Sequence, residues 1–389
     1  MRTLFYCLLA LLLSPAPSFS QQTLEDTILS DGIQRSFRIH IPATYSGQTP
    51  VPLVFMLHGW PMTAFEMEQF TGFDAVSDTA NFILVYPNGS VWPAGKFYWN
   101  VYPVNEMSEV NFISRLIDTL TLHYNIDPNR IYASGASNGG FMCYELACKL
   151  SNRIAAVASV VGSTMLSSMQ ACNPPRPVPI MEIHGTDDPS VSYYGGNFYS
   201  YGLIPSTEVL VNHWVTHNNC TQTPITTPIP DLDATDGCTA ERYLYAGGNG
   251  GSTVELIKVT GGGHQWSGGL ALPASYGKMC NDFSANQEVW RFLSQYRLDD
   301  LSAALEPQTI FKWIVYPNPT TDYITIEADP AIGITQIVIY DVFGRLLKSP
   351  QAVLVDDGFR VDLSEIARGV YFFSVKTGKQ KVLLPILKQ

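Results

Sequence analysis

The sequence predicts a mixed α/β domain with a mainly parallel central sheet, followed by a small antiparallel β domain. Three observations carry this. Between residues 34 and 302, strand-like apolar runs alternate with segments of helical periodicity. Several runs, "PLVFMLHG" and "NFILVYPNG" among them, are continuously apolar, as in strands buried on both faces. Past a polar connector at 299 to 308, short alternating strands with turn signals take over and helical periodicity almost disappears. The expected organisation is a signal peptide at 1–20, an α/β domain at 21–299, a linker at 300–312 and a β domain at 313–389.

Taken in order, the elements have these warrants. Arg2, the apolar run 4–13 and Ser18-Phe19-Ser20 have the layout of a secretory signal peptide. That run is too short to span a bilayer, and no other stretch reaches about 18 apolar residues. "RSFRIHIPA" alternates like a half-buried strand. "PLVFMLHG" and "NFILVYPNG" end in glycine turns. From 108 to 124, Val110, Ile113, Ile117, Leu120 and Tyr124 fall at helical spacing. The turn Asp127-Pro128-Asn129 launches a short strand over 130–134. "NGGFMCYELACKL" is a helix that packs through Phe141, Tyr144, Leu146 and Ala147. "RIAAVASVVGS", "VPIMEIHG" and "VELIKVTGGG" are further strands, and "SANQEVWRFLSQY" is a closing helix. The tail supplies "IVYPNPTTDYITIE", "ITQIVIYDVFGRLLK" and "GVYFFSV" as strands of an antiparallel domain. No internal repeat is present.

Charge is uneven. Residues 21–312 carry 14 Lys+Arg against 26 Asp+Glu, and residues 313–389 carry 8 against 8. An acidic body argues against nucleic acid, whose phosphates need a basic face, and against anionic membrane surfaces. Cys7 leaves with the signal peptide. Six cysteines remain, an even number that permits disulfides in an exported chain. Cys220 with Cys238 is the first expected pair and Cys148 with Cys172 the second. Cys143 and Cys280 pair or stay free. No C-x-x-C is present, so metal ligation carries little weight.

"RIYASGASNGGFM" contains Gly135-Ala136-Ser137-Asn138-Gly139 between a strand and a helix. That is the context of a nucleophile elbow, where a serine sits on a tight turn flanked by small residues. Such a serine needs an acid and then a histidine, in that order in α/β hydrolases. "MEIHGTDDPSV" places Asp187 and Asp188 directly after a strand. "VTGGGHQW" places His264 in a glycine-rich loop after the next one. Two backbone donors would hold an oxyanion: the N–H of Asn138 and, from "FMLHGWPMT", the N–H of Trp60.

The other histidines have plainer readings. His58 and His184 stand in "HG" at strand ends and shape turns. His213 and His217 lie four apart in "HWVTH", which lacks the glutamate of a zinc H-E-x-x-H, so they mark a solvated helix face. Two loops, "SVWPAGKFYWNVYP" and "SYYGGNFYSYG", are rich in aromatics. They are either core or the wall of a cleft that stacks on sugar or aromatic rings. Trp99, Tyr193 and, beside His264, Trp266 are the expected substrate contacts.

These pieces together resemble the secreted esterases grouped with polyhydroxybutyrate depolymerases, feruloyl esterases and acetylxylan esterases. The likeness rests on "LHGW", "VYPNG", "YWN", "YNIDPNRIYASGASNGGFMCYELAC", "HGTDD" and "GGGHQW", in order across 34–296. The resemblance implies an α/β-hydrolase fold, Ser137 as nucleophile, His264 as base and Asp188 as the acid, with no cofactor and no metal. One departure is Trp60 after "LHG", where many members have Cys. The tail, through "YPNP", "IYDVFGRLL", "GVYFFSV" and "ILKQ", resembles the C-terminal sorting domains of the type IX secretion system. That implies export to the medium or the cell surface, with the type IX machinery as a partner.

The leading expectation is a serine carboxylic-ester hydrolase acting on esters of extracellular polymers, as a monomer. A serine peptidase of related fold would carry an extra propeller or cap, which the sequence lacks. An inactive carbohydrate-binding relative would lack some of the catalytic elements. An active-site serine probe separates the three.

Overall fold

The structure is a computed structural model. It describes residues 22–303 apart from 93–94 and 103–107, and residues 314–389 apart from short interruptions. The signal-peptide expectation and most of the linker expectation therefore lie outside the described residues. Two compact units divide the chain, Met1–Leu305 and Glu306–Gln389.

In the first unit, β1 (Gln22–Ser30) and β2 (Ile33–Ile41) form a hairpin through Asp31-Gly32, both at positive φ. Asp-Gly supplies the chemistry of such a two-residue turn. β3 (Val51–Leu57) and β4 (Ile83–Pro87) are wholly buried and flank α1 (Ala64–Thr71) and α2 (Asp74–Ala80). A short hairpin, β5 (Ser90–Trp92) and β6 (Lys96–Tyr98), precedes α3 (Ser108–His123). β7 (Ile126–Ala136) feeds α4 (Asn138–Lys149). Next come β8 (Ala156–Val160), α5 (Leu166–Ala171) and β9 (Ile180–Gly185). A second hairpin, β10 (Gly196–Phe198) and β11 (Gly202–Ile204), leads to α6 (Thr207–His217). β12 (Ile225–Ile229), β13 (Thr239–Tyr245) and β14 (Val254–Thr260) precede α7 (Ala285–Leu293) and α8 (Leu298–Ala303).

Ten strands form one sheet in the order β1-β2-β4-β3-β7-β8-β9-β14-β13-β12. The six from β4 to β14 run parallel and the outer pairs are antiparallel. This is the α/β-hydrolase arrangement. Strand side chains alternate between two cores. Leu53, Phe55 and Leu57 join one cluster with α3, α4 and α6, while Val54 and Met56 join another with α1, α2 and α7. Helices thus cover both faces, and the site belongs beyond the carboxyl ends of the parallel strands.

The second unit holds β15 (Ile314–Tyr316), β16 (Tyr323–Glu327), β17 (Ile334–Asp341), β18 (Leu346–Lys348), β19 (Val353–Val355), β20 (Gly358–Asp362), β21 (Gly369–Thr377) and β22 (Lys381–Lys388). They form two four-stranded antiparallel sheets, β15-β16-β20-β19 and β18-β17-β21-β22. Ile324, Ile326, Ile337, Ile339, Val361 and Phe373 pack in a core of this unit's own.

The structure departs from expectation in four places. The turn Asp127-Pro128-Asn129 lies inside β7, where pairing with β3 jumps from Val51–Ile126 to Leu53–Ile131. β12 and β13 extend the sheet over 225–245, where no strand was expected. The 300–312 linker begins too early, because α8 runs to Ala303 and its Leu301 is buried. The first-choice disulfide is wrong: Cys148 and Cys172 are bridged, with Cα atoms 5.5 Å apart, and Cys220 and Cys238 are free. Cys220 packs in the core on one face of the sheet and Cys238 in the core on the other, so the sheet stands between them. Cys143 and Cys280 are free and buried.

The bridge ties the end of α4 to the segment after α5, across a separation of 24 residues. Replacing both Cys148 and Cys172 by Ser is expected to cost about 3 kcal/mol. The midpoint of denaturant unfolding checks this, and an unmoved midpoint would mean that packing alone already closes the loop.

Candidate active site

Ser137 stands at the junction of β7 and α4 with φ 55° and ψ −119°. A non-glycine residue holds positive φ only when its surroundings force it to. Here the forcing is steric and mutual. A Cβ on Gly139 would lie 2.1 Å from the Leu57 carbonyl oxygen, and one on Gly135 would lie 2.7 Å from both Leu57 O and the Gly139 carbonyl. Strand, turn and helix approach closer than any side chain permits, which explains both glycines of the motif. The turn is pinned further by Ser137 N–H donating to Val160 O at 2.9 Å and Phe141 N–H donating to Ser137 O at 3.0 Å. The N-terminus of α4, with its positive dipole end, thus faces the serine.

The loop after β3 is fixed from beneath. His58 is buried, and burial lowers its imidazole to about 4, so the ring is neutral. Its Nδ1–H donates to Gly59 O at 2.9 Å and its Nε2 accepts from Gly89 N–H at 3.0 Å. A Cβ on Gly59 would sit 3.5 Å from the Ser137 Cβ, so residues 58–60 lie directly against the elbow. Asn138 accepts from Trp99 N–H at 2.6 Å through Oδ1, and its Nδ2 donates to Trp99 O and to the Tyr102 hydroxyl, both at 3.1 Å. Trp99 Nε1–H donates to His58 O at 3.0 Å.

The two candidate acids separate cleanly. Asp187 is exposed. Asp188 is buried, and its Oδ2 accepts from His264 Nδ1–H at 2.7 Å while Oδ1 accepts from Ser190 and Val191 N–H at 2.7 and 2.8 Å. Burial alone would raise the Asp188 carboxyl, but hydrogen bonds and charge from His184 and His264 outweigh it and hold the group well below the usual carboxylate range. The acid and histidine loops are tied together by Asp187 N–H donating to Gly262 O at 2.9 Å and Gly261 N–H donating to Thr186 Oγ1 at 2.9 Å. The His264 ring stacks on Tyr276 with centroids 6.1 Å apart.

Ser137, Asn138 and His264 line one cavity of about 400 Å³, whose walls include Trp60, Tyr98, Tyr102, Phe198, Tyr199, Tyr201 and Tyr276. The expected substrate contacts need correction. Trp99, Tyr193 and Trp266 are fully buried and do not line the cavity. Trp99 braces the elbow, as described. Tyr193 donates to Glu208 at 3.2 Å and packs edge-on against His184. Trp266 donates to Asn286 Oδ1 at 2.8 Å, under the histidine loop. Trp99 and Trp266 give their ring N–H groups to buried partners and Tyr193 gives its hydroxyl to the exposed Glu208, so all three are buried scaffold. The flagged loops do supply the wall, through neighbouring residues. Tyr276 gave no signal in the sequence, because nothing local to it marks a loop that folds over His264.

His184 is more than a turn former, since it bonds Glu182 and Val191. His217 Nε2 bonds Arg176 O at 3.1 Å, and His213 and His217 do not converge with other ligand groups among the described residues. Asp236, Cys280 and Asp282 do converge, away from the cavity. Their carboxylate oxygens already accept from Leu232, Asp233, Cys238 and Asn281 N–H groups.

Residues 36–180 match the family model described as esterase PHB depolymerase, and residues 314–389 match the secretion system C-terminal sorting domain. The protein described as "Putative esterase NocK" of Nocardia uniformis subsp. tsuyamanensis is 30% identical over 269 residues, covering 65% of this chain and 76% of that one. Feruloyl esterase B of Piromyces equi is 30% identical, over 59% of this chain and 42% of its own length. The bifunctional acetylxylan esterase/xylanase of Neocallimastix patriciarum is 25% identical, over 72% of this chain and 36% of its own length. This chain thus spans less than half of the latter two relatives. With the hydrolase strand order, the elbow and the identity across three quarters of the Nocardia protein in agreement, the chain belongs to the polyhydroxybutyrate depolymerase and feruloyl/acetylxylan esterase family and carries a C-terminal secretion sorting domain.

Proposed function

We propose that the chain is an exported serine carboxylesterase that works through an acyl-enzyme on esters of extracellular polymers. Feruloyl or acetyl esters of plant polysaccharide and polyhydroxyalkanoate polyesters are the substrate classes. The observation that carries this reading is the 2.7 Å Asp188–His264 hydrogen bond beside the cavity that holds Ser137 on its tight turn.

In this reading Ser137 Oγ attacks the ester carbonyl and its proton passes to His264 Nε2. Asp188 holds the Nδ1–H tautomer and stabilises the imidazolium. Backbone N–H groups of Asn138 and Trp60 receive the oxyanion. His264 returns the proton to the departing alcohol as its C–O bond breaks, leaving the acyl-enzyme. Water then repeats the sequence and frees Ser137. The aromatic walls suit flat acyl groups or sugar faces. The sorting domain supports delivery outside the cell by the type IX route, where a polymer too large to enter is accessible.

Ser137→Ala is expected to lower kcat on a simple aryl ester by about 10³-fold or more with the fold unchanged. Survival of more than about a tenth of the activity would refute Ser137 as nucleophile. Asp188→Asn is expected to cost far more activity than Asp187→Asn. Equal losses in that side-by-side assay would mean that the wrong carboxylate was chosen. Truncation after Leu305 is expected to leave a soluble, active enzyme that its host no longer secretes. Ester turnover in vitro and secreted activity in the host check the two halves of that statement. Hydrolysis of feruloylated xylan, acetylxylan and polyhydroxybutyrate by the full chain ranks the substrate classes.

A further inference from the structure

Behind Asp188 lies a buried pair that the reaction as written does not use. Glu182 and His184 sit two residues apart on β9, so their side chains share one face of the sheet. Both are at most 1% exposed. His184 Nε2 is 2.8 Å from Val191 O and 3.4 Å from Asp188 Oδ2, both acceptors, so Nε2 carries the proton. His184 Nδ1 is 2.9 Å from Glu182 Oε1. The Tyr144 hydroxyl, from α4, donates to Glu182 Oε2 at 2.7 Å. Burial raises the Glu182 carboxyl, and the donors on both of its oxygens pull it back toward the ionised form, while His184, with an acceptor at each ring nitrogen, has the surroundings of an imidazolium.

We propose that Glu182 and His184 are positioning residues for the acid of the triad. His184 clamps the 188–191 loop to the end of β9, and Glu182 holds the His184 ring in register and charged. Two contacts make the clamp. His184 donates to Val191 O, while Val191 N–H donates to Asp188 Oδ1 at 2.8 Å. One side chain therefore fixes Val191, which both orients Asp188 and lines the cavity. His184 is raised to about 10: burial pulls it down, and the hydrogen bonds and charges of Asp188 and Glu182 more than compensate.

The charged and titratable groups around His184 are few. Glu182 lies on its own strand, Asp188 in the following loop with His264 beyond it, and Tyr193 stands edge-on with centroids 5.8 Å apart. On β14, Lys258 is the register partner of His184, but it pairs with Glu208 and lies over the Tyr193 ring. From α4, Tyr144 and Cys143 face Glu182. His184 Nε2 thus lies 3.4 Å from Asp188 Oδ2, the same oxygen that accepts from His264. It offsets part of the Asp188 charge and so limits how strongly Asp188 holds a proton on His264.

The inference rests on the triad reading above, so Ser137→Ala is run in parallel. Three variants of the full chain, His184→Phe, His184→Gln and Ser137→Ala, are assayed on a small aryl ester. Rates are normalised to sites labelled by an active-site serine probe, and kcat/KM is followed against pH. His184→Phe loses the clamp and the cation. Its plateau kcat is expected to fall about 10-fold or more, with the acidic limb moved up by about half a pH unit or more. His184→Gln can place an amide donor where Nε2 stood. Its plateau kcat is expected to recover to within about threefold of wild type, while the acidic limb still moves up, because the cation is gone. Should His184→Phe fail to fold, the His184→Gln limb decides. An acidic limb unmoved in His184→Gln, or a wild-type plateau in His184→Phe, would overturn the proposal. Activity surviving in Ser137→Ala would instead overturn the triad itself.

Discussion

Everything at the site depends on one close approach. The N-terminal turn of α4 presses against the carboxyl end of β3, so that the Leu57 carbonyl occupies the space a side chain at 139 would need. That contact forces Ser137 into positive φ and lifts its side chain out of the sheet. It also sets the first turn of α4 beside the loop carrying His58 to Trp60. A wider spacing would relax the serine but would separate the two sources of backbone donors. The strain at one residue is the condition for having donors and hydroxyl together.

A second layer keeps that arrangement rigid. Asn138 and Trp99 exchange hydrogen bonds, Trp99 reaches back to His58, and neutral His58 reaches on to Gly89. Buried polar groups that are fully satisfied fix one geometry, because every alternative leaves a donor or acceptor without a partner. The Asp188 side is built differently. There, buried charge is placed against buried charge, and Asp188 takes donors on both oxygens. The surroundings of Ser137 are held by neutral hydrogen bonds, and those of His264 by its bond to the buried Asp188 carboxylate.

Much of this was legible in the sequence. The elbow could be read because Gly-x-Ser-x-Gly between a strand and a helix reports a local steric fact, and local facts survive in local sequence. The places of Asp188 and His264 after strand ends followed from the alternation of apolar runs, and the order serine, acid, histidine was taken from the α/β-hydrolase pattern. What could not be read was which way a side chain faces once distant elements meet. Trp99, Tyr193 and Trp266 look like cleft aromatics in one dimension, and each instead spends its polar tip on a partner 15 to 41 residues away. The cysteines failed for the same reason. Cys220 and Cys238 are near in sequence, but the sheet divides them, and no local pattern announces which face a loop residue joins. The antiparallel strands at 225–245 were missed because their outer member is largely exposed and carries little apolar signal.

The two borders of the ten-stranded sheet also have a consequence. A border strand offers unpaired N–H and C=O groups, and a second chain could extend the ladder there. β1 is mostly exposed and places Glu25 and Asp26 along its length, while β12 carries Pro228, which has no N–H to offer. Both borders are therefore poor templates, one by charge and one by a missing donor. A strand arriving from a neighbouring molecule would bury carboxylates on one side and find a gap in the ladder on the other.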